Sequence, residues 1–238
     1  MSSLTQPPIQ ISCEVLSNRK VGAYHHLTLA APGIADNVRP GNFVAINVGD
    51  SKSSMLLRRS FAIYQSTSRG PFGGTIEIIV APHGSGSTWI AQRPVHEKLN
   101  VVGPLGNAFK IPKDSVRALL VGGGYGSAPL FPLADLLRQK NSRVEMVVGA
   151  STSERVFAPV EGKRSVHSLS IATEDGSIGT KGRVTDLFDN SLQNIDIVYA
   201  CGPMGLLKAL TKIGASAGVT VQCAVEESMA CGVGLCMT

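Results

Sequence analysis

After Lys113 strand-length apolar runs alternate with segments whose apolar residues fall three and four apart, and that alternation leaves few folds open. "RALLVGGG", "RVEMVVGAS", "HSLSIATED" and "IDIVYACGP" read as buried strands, with a last strand in "VTVQCAV"; "APLFPLADLLRQK", "VTDLFDNSL" and "MGLLKALTKIGAS" read as helices. Strands joined through helices imply crossovers, hence a parallel α/β sheet. Before Lys113 the rhythm differs. From Ile11 to about Ile111 short β-branched runs, "VGAYHHLTLAAP", "GNFVAINV", "RRSFAIYQS" and "GTIEIIVAP", are punctuated by Gly, Pro, Asn and Asp, and only "STWIAQR" offers a short helix. That spacing predicts an antiparallel barrel or sandwich. The expected organisation is an N-terminal antiparallel β-barrel over 1–112, an α/β parallel-sheet domain over 113–222, and a cysteine-rich C-terminal segment over 223–238.

At 238 residues two compact units are the natural division. Hydrophobic residues make up 43% and charged ones 16%, which argues for globular units and against disorder. The net charge of +5 is spread along the chain, and no basic run interleaves with aromatics, so no nucleic-acid interface is expected. The N-terminus lacks a basic region followed by an apolar stretch, and no apolar run reaches the roughly 18 residues of a spanning helix. A cytoplasmic protein without a membrane segment is the expectation. Five cysteines, three of them after residue 222, suit reduced thiols or metal ligands better than a disulfide framework.

Several stretches can carry chemistry. In "RRSFAIY" strand alternation sends Arg58 and Arg59 to opposite faces, freeing one of them to turn inward toward an anion; the alternative is a pair of surface arginines. In "HGSGSTWI", Gly84 and Gly86 precede Ser87 and Thr88 at a helix start, where amides and hydroxyls either hold an anion or merely form a cap. "VGGGYGSAP" brings Gly122, Gly123, Gly124 and Gly126 to a strand-to-helix turn, but Ser127 stands where a G-x-G-x-x-G fingerprint has its last glycine. "YACGPMGLL" repeats the same strand, glycine, proline, helix order, and both turns should border the crevice beyond the carboxyl ends of the strands. Cys201 is either a small buried residue or a neighbour of the ligand. Glu174 and Asp175 in "TEDGSIGTKGRVTD" either accept hydrogen bonds from a ribose or form an Asx turn before Gly176. The histidines form no metal or nucleophile constellation, and most of them read as surface residues.

The order of these motifs, together with "GPLGNAF" and the terminal "EESMACGVGLC", resembles the ferredoxin-NADP reductase superfamily and, within it, the electron-transfer subunits of dihydroorotate dehydrogenase B. The resemblance spans almost the whole chain. It implies a barrel that binds FAD, an α/β domain that binds NAD and a C-terminal [2Fe-2S] cluster facing a catalytic flavoprotein subunit in a hetero-oligomer. The flavin motif falls on Arg59, Ser60, Phe61 and Ala62, with alanine where the family has serine. Ile79, Val80 and Ala81 match the strand beside the flavin, and Gly86 with Ser87 matches the family's phosphate contact. The nicotinamide side maps onto Gly123, Gly124, Gly126, Cys201, Gly202 and Pro203.

Cys231 and Cys236 match the first interval of a plant-type C-x4-C-x2-C run, whose next ligand would stand at position 239, past the last residue. With two of four ligands, the chain as it stands is not expected to hold a stable cluster by itself. The resemblance implies that electrons from dihydroorotate reach the partner's FMN, cross the cluster to FAD and reduce NAD, serving pyrimidine biosynthesis, with no residue here acting as a strong acid or base. Two other readings stand: a reductase subunit of a hydrogenase, sulfite reductase or transhydrogenase complex in the same superfamily, and a non-catalytic flavin-binding or assembly module. The choice between NAD and NADP is left open.

Overall fold

A computed structural model describes residues 7–50, 53–188, 192–226, 229–234 and 236. The chain divides into two compact units, Phe109–Glu227 and the remainder, in which the C-terminal segment joins the N-terminal residues.

In the first unit β1 (Ile9–Val21), β2 (Tyr24–Ala30), β3 (Phe43–Ile46), β4 (Arg59–Thr67), β5 (Thr75–Val80) and β6 (Lys98–Leu105) close into an antiparallel barrel of order β1-β2-β5-β4-β3-β6. Closure depends on the length of β1. Its first half pairs with β6, from Ile9 opposite Gly103 to Glu14 opposite Lys98; its second half pairs with β2, and the register shifts between Val15 and Ser17 where the strand changes partner. An extra residue at such a shift bends a strand and increases its twist, which one strand serving two neighbours requires. Alternation then fills the interior with Val15, Leu27, Leu29, Val44, Ile46, Ile63, Ile76, Ile78, Leu99 and Val101. The helix α1 (Ser85–Ala91) adds Ile90 and Ala91 to this core.

In the second unit β7 (Arg117–Gly123), β8 (Arg143–Ala150), β9 (Ser168–Thr173), β10 (Thr180–Lys181), β11 (Ile197–Cys201) and β12 (Thr220–Ala224) form a parallel sheet of order β10-β9-β8-β7-β11-β12. The chain runs outward from β7 and then returns to its other side as β11, so the strand order reverses between β7 and β11. The helices are α2 (Leu130–Gln139), α3 (Pro159–Ser165) and α4 (Met204–Ala217). Helix α2 buries Leu130, Phe131, Leu133, Ala134 and Leu137, whereas α4 covers Val121, Val198 and Ala200 with Leu207 and Leu210.

The helix expected in "VTDLFDNSL" is instead one 3-10 turn at Val184–Leu187, with residues 189–191 outside the described ones. Asp186 Oδ2 accepts the Arg183 amide at 2.9 Å, a capping bond that starts a helix, but Phe188 at φ −140° and ψ 153° is already extended and ends it after one turn. Helix α3 escapes the sequence pattern because "PVEGKRS" contains a glycine and shows no apolar stripe.

Buried polar groups anchor the start of this unit. The Tyr199 hydroxyl donates to the Lys110 carbonyl at 2.9 Å, and Gln222 Nε2 donates to the same oxygen while its Oε1 accepts the Lys110 amide, both at 2.8 Å. Burial pushes the Tyr199 phenol up to about 12, so it remains a donor throughout the neutral range. Tyr199→Phe is expected to cost about 0.5–1.5 kcal/mol, at the low end because Gln222 still satisfies the carbonyl, and urea unfolding measures it.

Candidate functional site

Two of the predicted glycine turns interlock at the point where strand order reverses. Cys201, the last residue of β11, pairs with Gly122 of β7, which puts the loops after the two strands side by side. A Cβ on Gly126 would stand 2.9 Å from the Gly202 Cα, and one on Gly202, at φ +149°, would stand 2.9 Å from the Gly123 amide nitrogen. Main chain thus lies against main chain with no space for a side chain. A Cβ on Gly123 would stand 2.7 Å from Pro203 Cδ, whereas Gly124, at φ +55°, turns the chain into the 3-10 segment Gly124–Ser127. The Ser127 hydroxyl, which holds the place of the missing third glycine, donates to the Gly124 carbonyl at 2.8 Å. Serine therefore closes the turn on itself. Helix α4 starts directly after Pro203, and a Cβ on Gly205 in its first turn would meet nothing within 4 Å. Open space over the unsatisfied amides of a fourteen-residue helix is suited to an anion.

Cys201 is buried at the base of this turn. Burial, then the Glu226 carboxylate, then Cys223 push its thiol well above the ordinary range, which keeps it a neutral S–H. Glu226 also accepts the Tyr125 hydroxyl at 3.1 Å, tying the first glycine loop to the residues after β12. Sequence reasoning quoted both residues without joining them; 101 positions separate them.

In the first unit Arg59 and Gly86 could hold a second anion. The two arginines at the start of β4 part ways. Arg58 donates to Asn100 Oδ1 at 2.6 Å and to the Asn100 carbonyl at 3.1 Å, so its guanidinium serves the barrel wall. Arg59 donates to the Leu57 carbonyl, and its Nε stands 2.5 Å from where a Gly86 Cβ would be. Among the described residues no carboxylate pairs with Arg59. An uncompensated cation against the first turn of α1 is a place for phosphate. Ser87 contributes less directly than expected, because its hydroxyl accepts the His83 and Gly84 amides at 3.1 Å and donates to the Gly84 carbonyl. It shapes the turn.

Along β4, Ser60 is exposed, Phe61 and Ala62 are half-buried, and Ala62 pairs with Phe43 of β3. Val80 is fully buried, Ile79 is buried and Ala81, one residue past β5, is half-buried. Arg59 and Gly86 are thus brought together, with β4 and β5 framing them in the barrel wall.

Cys231 and Cys236 lie in the segment that joins the barrel unit, with their sulfurs 3.2 Å apart and the Val233 amide donating to the Cys231 sulfur at 3.4 Å. Gly232 and Gly234 adopt φ of +71° and +79°, and a Cβ on Gly232 would touch Leu105 at 3.4 Å and Phe43 at 3.6 Å. Two thiolates on one tetrahedral metal with bonds of about 2.3 Å sit about 3.7 Å apart, so the pair has the chemistry and nearly the spacing of half a site. Among the described residues no group of three or more His, Cys, Asp or Glu could hold a metal. Cys223 is placed apart, in β12, facing Thr211 of α4 at 3.9 Å.

Asp175 takes the turn role: its Oδ1 accepts the Ser177 amide at 3.0 Å and hydroxyl at 2.6 Å, bonds that hold its carboxyl below the usual range. Glu174 is exposed. His26 departs from the surface expectation, since its ring reaches Glu77 at 2.6 Å with the side chain only 13% exposed.

Burial also pushes the Cys13 thiol of β1 from 9.0 up to about 12. The folded chain keeps a proton that the unfolded chain releases, so this contribution is fully present below pH 9 and is lost as pH rises toward 12. At pH 10.5 the loss should be about 2 kcal/mol, and urea unfolding at pH 8 and 10.5 should show a smaller difference in Cys13→Ala.

No family model matches the chain. The dihydroorotate dehydrogenase B (NAD(+)) electron transfer subunit of Geobacillus thermodenitrificans is 37% identical over 227 residues, covering 93% of this chain and 85% of the relative. The subunit of the same name from Geobacillus kaustophilus is 38% identical over 215 residues, covering 89% and 80%, and that of Caldanaerobacter subterraneus is 33% identical over 229 residues, covering 96% and 86%. Among solved structures, an NADH-dependent reduced ferredoxin-NADP oxidoreductase studied for flavin-based electron bifurcation superposes with a TM-score of 0.82 at 27% identity, covering 94% of this chain and 79% of that one. The ferredoxin reductase in carbazole 1,9a-dioxygenase superposes at 0.75 with 20% identity, covering 92% and 70%, and speaks for the fold alone. With the barrel, the parallel sheet and most of its length shared at this identity, the chain belongs to the family of dihydroorotate dehydrogenase B electron transfer subunits.

Proposed function

We propose that this chain is an NAD-linked oxidoreductase subunit whose barrel holds FAD and whose α/β sheet holds NAD, working beside a catalytic dihydroorotate dehydrogenase subunit. What supports the reading is that, in a member of this family, Arg59 stands against Gly86 on the barrel and Gly123, Gly126 and Gly202 cross main chain to main chain on the sheet. Dinucleotides need such places for their phosphates.

When bound, a flavin exchanges electron pairs with nicotinamide and single electrons with an iron–sulfur centre. The chain's own residues bind and orient. Arg59 neutralises phosphate charge. Phe61, Ala62, Ile79 and Ala81 offer the strand backbone and apolar surface beside the ring, and Ala62 leaves that contact to main chain where a hydroxyl would otherwise serve. Gly123, Gly124 and Gly126 admit the second dinucleotide close to the backbone, and Gly202 with Pro203 directs the first turn of α4 toward its phosphates. Cys201 supplies a small, neutral thiol at the floor of the turn, excluding water without adding charge. Cys231 and Cys236 would supply two of the four thiolates of a [2Fe-2S] cluster.

The test is spectroscopic. The full chain incubated with FAD and desalted should retain about one flavin and bleach on anaerobic addition of NADH. A chain that retains no flavin is instead an assembly module. Affinity capture of the native protein should recover a dihydroorotate dehydrogenase; recovery of a hydrogenase or sulfite reductase would reassign the partner.

A further inference from the structure

We propose that the outer edge of β12, with the groove between it and α4, docks an extended acidic segment of a partner polypeptide that adds to the sheet as one further strand. Helix α4 presents Met204, Lys208, Thr211 and Ala215, spaced four, three and four apart, along a groove whose opposite wall is Cys223 and Val225. Alternation puts Val221, Cys223 and Val225 on the α4 side of the strand, and Val221 packs where Gly214 has no Cβ. The cavity is about 420 Å³, within the range of built ligand sites. Met204 is 38% and Val225 53% exposed, so apolar surface lies open at one end.

The strand beside this groove is also unpaired. Among the described residues β12 is last in the sheet and bonds to β11 alone, which leaves a row of backbone donors and acceptors facing outward. Edge strands are commonly protected by a charge, a proline or a bulge, and "TVQCA" has none. The charges stand on the helix instead.

Lys208 and Lys212 lie one turn apart at the groove, both exposed, with no carboxylate paired to either among the described residues and no acidic residue in the lining. These features select the occupant. Backbone groups in an open row require an extended chain, the apolar wall requires an apolar side chain at alternate positions, and the two ammonium groups require a carboxylate on that same face. A second copy of this chain fits badly, because edge-to-edge pairing would bring its Lys208 and Lys212 against these two.

The proposal goes beyond the flavin and nicotinamide reading, and its test uses neither cofactor. The probe is a blocked seven-residue peptide with threonine at odd positions and leucine, glutamate and valine at even ones; a second peptide carries lysine in place of glutamate. Titrated onto the full chain, the glutamate peptide should bind about tenfold more tightly than the lysine peptide and slow alkylation of Cys223, followed by mass spectrometry with Cys236 as the internal reference. Lys208→Glu combined with Lys212→Glu, both on exposed positions, should reverse the preference. Equal affinity for the two peptides would overturn the proposal, as would no binding at millimolar concentration, binding that leaves Cys223 alkylation unchanged, or an unaltered preference in the double variant. Concentration-dependent dimerisation abolished by that variant would show a second copy to be the occupant and would equally overturn it.

Discussion

Gly86→Val is expected to yield a folded barrel that no longer retains flavin. A Cβ at this position would lie 2.5 Å from Arg59 Nε and 3.0 Å from its Cγ and Cζ. The obstructing atoms belong to a long side chain, so the guanidinium can swing away and the fold survives, but the anion seat is then filled by valine and deprived of its cation. Arg59→Ala isolates the second of these losses. A charge-assisted bond is worth about 1.5–3 kcal/mol, so FAD should bind about 10- to 150-fold more weakly. Flavin fluorescence titration gives the affinity and far-ultraviolet circular dichroism checks the fold. Undiminished FAD affinity in both variants would remove the barrel seat from the function.

Gly126→Ala should leave flavin in place and cut its reduction by NADH about a hundredfold. Here the obstruction is main chain: the added methyl would lie 2.9 Å from the Gly202 Cα, 3.1 Å from the Gly202 nitrogen and 3.2 Å from the Cys201 carbonyl carbon. Neither loop can rotate away as Arg59 can. Relief requires β7 and β11 to separate at their ends, at a cost of about 1–3 kcal/mol in stability, and it shifts the first turn of α4, the place proposed for the NAD phosphates. Stopped-flow reduction by NADH, compared with reduction by a small chemical reductant, separates a nicotinamide defect from a flavin defect. Equal slowing with both reductants would assign the effect to the flavin and contradict the placement of NAD on the sheet. The two variants therefore fail in different ways, as two independent seats require.

Much of this was legible before any coordinates. The parallel sheet followed from the alternation of "RALLVGGG" and "RVEMVVGAS" with helical segments, and the family from the order of seven motifs. What escaped has a common cause. The segment at Val184–Leu187 has the apolar spacing and the capping acid of a helix start, and neither registers that the chain turns extended at Phe188 after one 3-10 turn. β1, "IQISCEVLSNRKV", is missing from the strand-like runs read in the sequence; it serves two partners around a bulge, and a change of partner leaves no trace in local composition. For Ser87 the sequence left an anion contact and a cap both open, and its three bonds close its own turn.

The sequence by itself determined the two kinds of sheet and the positions of the glycine turns, because periodicity and spacing are properties of neighbouring residues, while the family came from the likeness of its ordered motifs to those of known proteins. Only the tertiary structure decided that β11 returns to lie beside β7, that Gly126 and Gly202 therefore touch, that Arg59 and not Arg58 faces Gly86, and that Tyr125 reaches Glu226. Those contacts join residues far apart in the chain. Their partners are chosen by which faces must be buried together and by the return path of the crossover, and neither is written in any local stretch.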